Sequence, residues 1–461
     1  MAGMLLALPA QADVIKLRTG AQVGSTMSLS LSRGVTATLT WGNGETQEVT
    51  FGANESIFNV LDAELTITTK QPITAFFCVG NELTELNVNE APHLMHLVCA
   101  DNNLSQLDIS AQTELVELNC QNNSLTSITL TDAKKLEILN CSGNQIDKLI
   151  LSSNTALKTL ICADNQLTTL GVGSLKLLES LWCQGNKIKS LQMAVGVSPK
   201  QILAYDNALT TARVTNSTEL EELWLDNNQL GSLDLTGLSL VGLSASNNVL
   251  TSIIHDTKSK STLKYFYVDG NRLDFGSFVT TSNARGDTLI SYAIDSQDAI
   301  LLDESINVGD ELDLTEQFSK NGWGVLLGTS VQWFRTEDGS PLVKGKDYTV
   351  KNTYKFTFLT AQESIYSVAT APRYYPDFEL KTRSIRVIDP TAIGSVVENS
   401  SLKAFGVGGA LWVVCEASAH LKVYAADGRL VIDNKLAAGT HSWELPAGVY
   451  VVNGRKVYVS R

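Results

Sequence analysis

Residues 115–130 read LVELNCQNNSLTSITL. Leucine or isoleucine stands at 115, 118, 125, 128 and 130, cysteine at 120 and asparagine at 123. The same spacing recurs on both sides of this stretch. Six cysteines, Cys78, Cys99, Cys120, Cys141, Cys162 and Cys183, follow one another at intervals of 21 residues. Three residues after each comes an asparagine. That series runs on past the cysteines as Asn81, Asn102, Asn123, Asn144, Asn165, Asn186, Asn207, Asn228, Asn248 and Asn271. Ala204, Leu225, Ala245 and Val268 take the cysteine position in the later units. Ten units in register make a chance pattern untenable.

The unit L-x-x-L-x-C-x-x-N-x-L-x-x-L-x-L has the form of a leucine-rich repeat. Each repeat supplies one short strand, and the strands stack in parallel about 4.8 Å apart. A single repeat cannot bury its apolar side alone, but stacked neighbours build one continuous core. The asparagine side chain is expected to bond backbone groups where the chain leaves the strand. A 21-residue unit leaves little room for a helix on the convex side. Extended or 3₁₀ segments are expected there, as in internalin-type repeats, which this array resembles.

Clustered metal sites place cysteines at short spacings such as C-x2-C, and none occurs here. Every array cysteine falls on an inward position between two inward leucines. There a free thiol behaves as a small hydrophobe, and thiols stacked in parallel suit disulfide geometry poorly. A metal, redox or catalytic role is the competing reading; inert core packing is the one the pattern favours.

Strand residues alternate, so positions two, four and six before each asparagine face outward on the concave side. The column at minus four reads Phe77, Val98, Asn119, Asn140, Ile161, Trp182, Leu203, Trp224, Ser244, Tyr267. Tyr205 and Tyr265 stand beside it, with acidic Glu222, Asp226 and Asp269 on the same face. Aromatic and β-branched residues suit strands in any case, which accounts for one or two of them. So large a cluster points to an interaction patch, since Trp and Tyr are preferred binding anchors. The candidate partner-binding residues are Phe77, Val98, Ile161, Trp182, Leu203, Tyr205, Trp224, Asp226, Tyr265 and Tyr267.

Segments flank the array, taken as residues 73–277. Met1–Ala12 is apolar and ends Ala10-Gln11-Ala12, an A-x-A pattern expected of a signal-peptide remnant; a buried N-terminal strand is the alternative. Residues 13–72 alternate in strand fashion, with a tight turn at Trp41-Gly42-Asn43-Gly44, and are expected to cap the open core of the first repeat. Residues 278–388 carry strand runs separated by turns and suggest an Ig-like β-sandwich with Trp333 in its core. Arg285-Gly286-Asp287 could mimic an integrin ligand, but chance yields that tripeptide in about one chain in ten of this length. Residues 389–395 read as a linker.

Residues 396–461 contain Lys422-Val423-Tyr424-Ala425-Ala426-Asp427-Gly428-Arg429-Leu430-Val431 and Leu445-Pro446-Ala447-Gly448-Val449-Tyr450-Val451-Val452. This segment resembles the C-terminal sorting domain of the type IX secretion system. The resemblance implies engagement of outer-membrane secretion machinery and removal of the tail near the linker. Residues 13–72 resemble the small β-domain that precedes such arrays in Bacteroidetes surface proteins. Taken together the order of segments resembles the internalin-J-like surface proteins of that group. That family implies attachment and biofilm formation at the outer face of the outer membrane.

Composition narrows the function. The chain has 461 residues, 35 Lys and Arg against 48 Asp and Glu, and a net charge of -13. Such acidity disfavours nucleic acid as a partner. No run of about 20 apolar residues is present. The five histidines are scattered, with no H-E-x-x-H spacing and no G-x-S-x-G elbow.

The expected fold is mainly β: a leucine-rich-repeat solenoid of ten repeats of about 21 residues, flanked by an N-terminal β cap, an Ig-like β-sandwich and a C-terminal β-sandwich. The expected function is non-enzymatic, with no catalytic residue, metal or cofactor. It is that of a secreted, cell-surface adhesin binding a host or bacterial surface protein. Homotypic self-association and glycan binding are the alternatives.

Overall fold

The protein is described from a computed structural model covering residues 12–256, 262–278, 291–319, 326–389, 402–453 and 455–460. The leader up to Gln11, the Arg285-Gly286-Asp287 tripeptide and all of the linker beyond Asp389 lie outside the described residues. No described helix is long and apolar enough to cross a membrane.

The repeat folds as its period demands, into a mainly β leucine-rich-repeat solenoid. Each unit contributes a three-residue strand to one long parallel sheet, and the register is strict. Leu118 pairs with Leu97 on one side and Leu139 on the other, and the pairing continues through Leu160, Leu181, Ile202, Leu223, Leu243 and Phe266. These central residues are buried while their neighbours on either side, Gly242 excepted, stand towards solvent. On the opposite side the 21-residue unit has no room for a helix, and most units return through two successive turns, as Gln112 N–H on Ile109 O and Leu115 N–H on Gln112 O show. Strands form there in the first unit, Leu83–Glu90, and in the later units, Ser190–Gln192 against Thr211–Arg213 and Ser232–Asp234 against Ser252–Ile254.

The asparagines form a second, side-chain ladder. Asn123 Nδ2 donates to Cys99 O of the preceding unit at 3.0 Å and to Cys120 O of its own at 3.1 Å. Its Oδ1 accepts from Leu104 N–H of the preceding unit at 2.9 Å. The set repeats from Asn102 to Asn271. Each asparagine therefore satisfies backbone groups that the turn off the strand would otherwise leave buried and unpaired.

The residue just before each asparagine is left-handed, and only Gly, Asp or Asn occupies it. Gly80, Asp101, Asn122, Gly143, Asp164, Gly185, Asp206, Asn227, Asn247 and Gly270 all have φ between 52° and 67°. These are the residue types that tolerate that region.

All seven cysteines are buried and free. The six of the array lie inside the solenoid at 0–1% exposure. Their backbone N–H groups join the sheet, as Cys99 N–H does on Asn119 O at 2.8 Å. Burial pushes the thiols far up, Cys141 and Cys183 to about 12. They pack as small hydrophobes.

At the N-terminal end the cap joins the array through two sheets. Strand Thr26–Leu31 runs antiparallel to the first array strand, Ala75–Phe77, extending the long sheet. Strand Asp13–Thr19 pairs antiparallel with Leu83–Glu90, the return segment of the first repeat. Ile15, Leu17, Leu39, Trp41, Leu65 and Ile67 fill the cap core. At the expected tight turn, Asn43 Oδ1 accepts from Glu45 N–H at 3.0 Å and Nδ2 donates to Leu61 O at 3.2 Å. Its side chain is thus spent on backbone.

Beyond Asn271 the parallel sheet runs one strand further than expected. Ser291–Ala293 pairs with Tyr265–Tyr267. Gln297 takes the asparagine role, donating to Val268 O at 2.8 Å and Ile294 O at 2.9 Å and accepting from Leu273 N–H at 2.9 Å. Residues 316–319, 326–330 and 369–380 belong to the same compact unit as the array. Residues expected to form one sandwich are thus shared between two units. Within the array's unit, Phe275, Phe278, Phe318, Tyr375 and Phe378 form an aromatic cluster. Phe275 stacks on Tyr375 at 5.7 Å, and Phe278 meets Phe378 edge-on at 5.4 Å.

Among the described residues the second unit comprises 301–315, 331–368, 381–389, 402–453 and 455–460. Its first part holds a sheet containing Ser305–Asn307 and Ile385–Ile388, and a three-stranded sheet of Glu311–Asp313, Lys355–Phe358 and Tyr348–Lys351. Trp333 is fully buried, edge-on to Phe356 and Phe358. The last part, from Leu402, is a three-stranded and a four-stranded sheet around Leu411, Val413, Cys415, Leu421, Val423 and Val457.

Candidate binding face of the array

The strand register sets the chemistry of the exposed sheet face, the face expected to be concave. In-register parallel pairing aligns equivalent positions into columns that cross the strands. The minus-four column carries Phe77, Val98, Ile161, Trp182, Leu203 and Tyr267, all half-buried, and Trp224, which is 43% exposed. Tyr205 and Asp226 sit in the minus-two column and Tyr265, 37% exposed, in the minus-six column. All ten candidate residues thus lie on one sheet face.

They do not form one patch. Asn119 and Asn140 interrupt the apolar column, and both are engaged locally. Asn119 Oδ1 accepts from Gln121 N–H at 3.1 Å, while Asn140 Nδ2 donates to Gln121 Oε1 at 2.6 Å. Phe77 and Val98 are thereby set apart from the group running from Ile161 to Tyr267. Phe77 lies five strands from Trp182, about 24 Å.

The C-terminal group is organised by hydrogen bonds. Trp182 Nε1 donates to Gln201 Oε1 at 2.8 Å, and Gln201 Nε2 donates to Glu222 Oε2 at 2.8 Å. Asp226 Oδ1 accepts from Ser244 Oγ at 2.6 Å and Ser246 N–H at 2.8 Å. Ser246 Oγ donates to Asp269 Oδ1 at 2.6 Å. Sequence reading passed over Gln201, Ser244 and Ser246 as partners of these groups. Their signal was present, because each occupies a minus-six, minus-four or minus-two position.

Charges differ between the two ends of the face. Towards the N-terminus, His96 Nδ1 lies 3.0 Å from Glu117 and Lys158 pairs with Glu137 at 2.7 Å. The latter carboxylate raises the lysine further above its ordinary value. Towards the C-terminus, no described cation is within ion-pair distance of Glu222, Asp226 or Asp269. Among the described residues no group of three or more His, Cys, Asp or Glu is placed to hold a metal ion.

A broad groove of about 700 Å³ lies elsewhere, lined by Lys16, Arg18, Glu64, Thr84, Asn89 and Asp108. Its two cations are paired, Arg18 with Glu64 at 3.0 Å and Lys16 with Glu90 at 2.7 Å.

No family model and no curated protein matches the chain. Among solved structures it is similar to the functional domain of InlJ from Listeria monocytogenes, which includes a cysteine ladder. The identity is 19%, over 72% of this chain and 94% of that one, with a TM-score of 0.36. It is also similar to YopM, a leucine-rich effector protein from Yersinia pestis, at 22% identity over 45% of this chain and 63% of that one, TM-score 0.39. The APL1 leucine-rich repeat domain aligns at 18% identity over 58% of this chain and 78% of that one, TM-score 0.39.

Proposed function

We propose that the protein is an exported surface adhesin whose leucine-rich-repeat array binds a protein partner through its exposed sheet face. The observation that carries this reading is the run of aromatic side chains from Trp182 to Tyr267, left partly exposed on a rigid sheet. Exposed Trp and Tyr on a rigid support present large contact area at low entropic cost, the usual character of binding anchors. The resemblance of residues 396–461 to a type IX sorting domain supports export to the outer face of the outer membrane. Resemblance to internalin-J-like proteins of Bacteroidetes supports a role in attachment or biofilm formation.

Capture of a partner by the full chain tests the reading. Trp182→Ala with Trp224→Ala should abolish capture while leaving the unfolding midpoint near the parent's. Unchanged capture by a folded double variant would move the site off this face. Display of the tail-deleted form on cells at the parent's level would remove the export reading.

A further inference from the structure

Strand Gly242–Ser244 carries the smallest side chains in this part of the sheet. Gly242, Ser244 and then Ser246 fill the minus-six, minus-four and minus-two positions of one unit. The strand before it presents Glu222, Trp224 and Asp226 at those positions, and the strand after it Tyr265, Tyr267 and Asp269. A Cβ on Gly242 would lie 3.9 Å from Tyr265 Cβ and 4.0 Å from Glu222 Cγ, so the walls meet over the buried glycine and the gap between them opens at Ser244. The result is a trough one strand wide, its walls about 10 Å apart backbone to backbone. Each wall carries both aromatic and carboxylate groups.

The carboxylates are held but not neutralised. Asp226 and Asp269 each accept from serines of the floor through Oδ1, and Glu222 accepts from Gln201 through Oε2. Every one of these donors is neutral. No described Lys, Arg or His pairs with the three. Lys200 and Lys264 stand one position further out, on the rim row that also holds Glu179 and Glu221. Trp224 and Tyr265 expose their rings beside these anions.

From this geometry we propose that the trough receives arginine or lysine side chains from an extended segment of the protein partner. The proposal rests on the reading of this face as the binding face and specifies what it binds. Carboxylates fixed in advance by neutral donors keep their charge available for an incoming cation. Aromatic faces within reach attract the same group by cation–π interaction. At Ser244, the floor residue left half-buried, no side chain longer than serine stands between the walls, which leaves room for the end of an aliphatic stem.

A peptide of six arginines spaced by Gly-Ser, titrated into the full chain by calorimetry and tryptophan fluorescence, tests this. Its counterpart with citrulline for arginine removes the charge and keeps the shape. The arginine peptide should bind at least about tenfold tighter than the citrulline peptide and weaken about tenfold between about 50 and about 300 mM salt. E222Q with D226N and D269N should weaken it at least about tenfold, since amide oxygens can still accept the serine and Gln201 hydrogen bonds. Ser244→Tyr, which fills the floor, should do the same.

Equal affinity for the two peptides, or full binding by the folded triple variant, would overturn the proposal. So would a neutral β-1,4-linked hexasaccharide that displaces the arginine peptide from the trough. A captured partner that needs Trp182 and Trp224 but ignores the triple substitution would leave the binding face in place and remove only its cationic ligand.

Discussion

Asn81 and Ser28 hydrogen-bond each other in both directions: Ser28 N–H donates to Asn81 Oδ1 at 2.8 Å, and Asn81 Nδ2 donates to Ser28 O at 2.7 Å. The first rung of the asparagine ladder is thus tied to a strand of the cap. Asn81 N–H in turn reaches Asn102 Oδ1 at 3.0 Å. Asn81→Ala strands backbone groups of the cap at a buried seam and should cost about 2–4 kcal/mol. Hydrogen exchange would show it as loss of protection in Thr26–Leu31 and Ala75–Phe77 before the middle of the array. Uniform loss along the array would instead mean that cap and repeats open as one.

The cysteine column should be chemically silent. Burial holds all six thiols well above their ordinary value, so almost no thiolate is available at neutral pH. A thiol-specific dye should label none of them until denaturant is added. Cys120→Ser should destabilise by about 1–3 kcal/mol, because it places a hydroxyl in an apolar column. Cys120→Ala should cost less than Cys120→Ser. The reverse order in a denaturant titration would contradict the hydrophobic role of the sulfur.

Gly185 is constrained twice. Its φ is 67°, and a Cβ there would fall within contact of Asp164 Oδ1 and 3.1 Å from Asp164 Cγ. Gly185→Ala should therefore cost about 1–3 kcal/mol. Asp164→Gly in the same chain should recover part of that loss. The measurement is the unfolding midpoint of the two single variants and the double variant. Simple additivity would show that the two positions do not meet.

Asp274 gives the array's C-terminal end a pH dependence. Burial raises its carboxyl to about 6, against the opposing hydrogen bonds from Gly276 and Ser277 N–H and the Ser277 hydroxyl. A carboxyl whose folded value is raised binds its proton more tightly folded than unfolded. Its ionised form therefore costs stability above about pH 6, and the cost is relieved as pH falls through 6 towards its ordinary 3.8. Allowing for partial solvent access, Asp274→Asn should stabilise the fold by about 1–2 kcal/mol at pH 7 and by nothing near pH 4. Thermal unfolding at the two pH values checks the sign; equal gains at both would contradict it.

The solenoid was legible because every repeat solves the same problem with the same residues. Leu118, Cys120 and Asn123 each have one job, and ten copies make each job visible. The eleventh strand was missed because Gln297 does the asparagine's work and Ile294 the cysteine's, after a 26-residue interval. Nor could the sequence reveal that 316–319, 326–330 and 369–380 return to the array's unit, since nothing local records a distant contact. On the sheet face the aromatic column was readable from the period alone. The trough was not, because Gly242 and Ser244 acquire meaning only once register sets them between Glu222, Trp224, Tyr265 and Tyr267.

The side-chain ladder also frees the array from a fixed size. Each asparagine bonds only its own turn and the one before it, as Asn123 does with Cys99 and Cys120. Excising 21 consecutive residues between Cys78 and Cys183 would bring equivalent ladder positions together at the new junction. Loss or duplication of 21 codons then keeps the asparagine ladder in register while it changes which side chains stand next to one another on the exposed sheet. A change in repeat number can thus rearrange the exposed sheet face without a new fold.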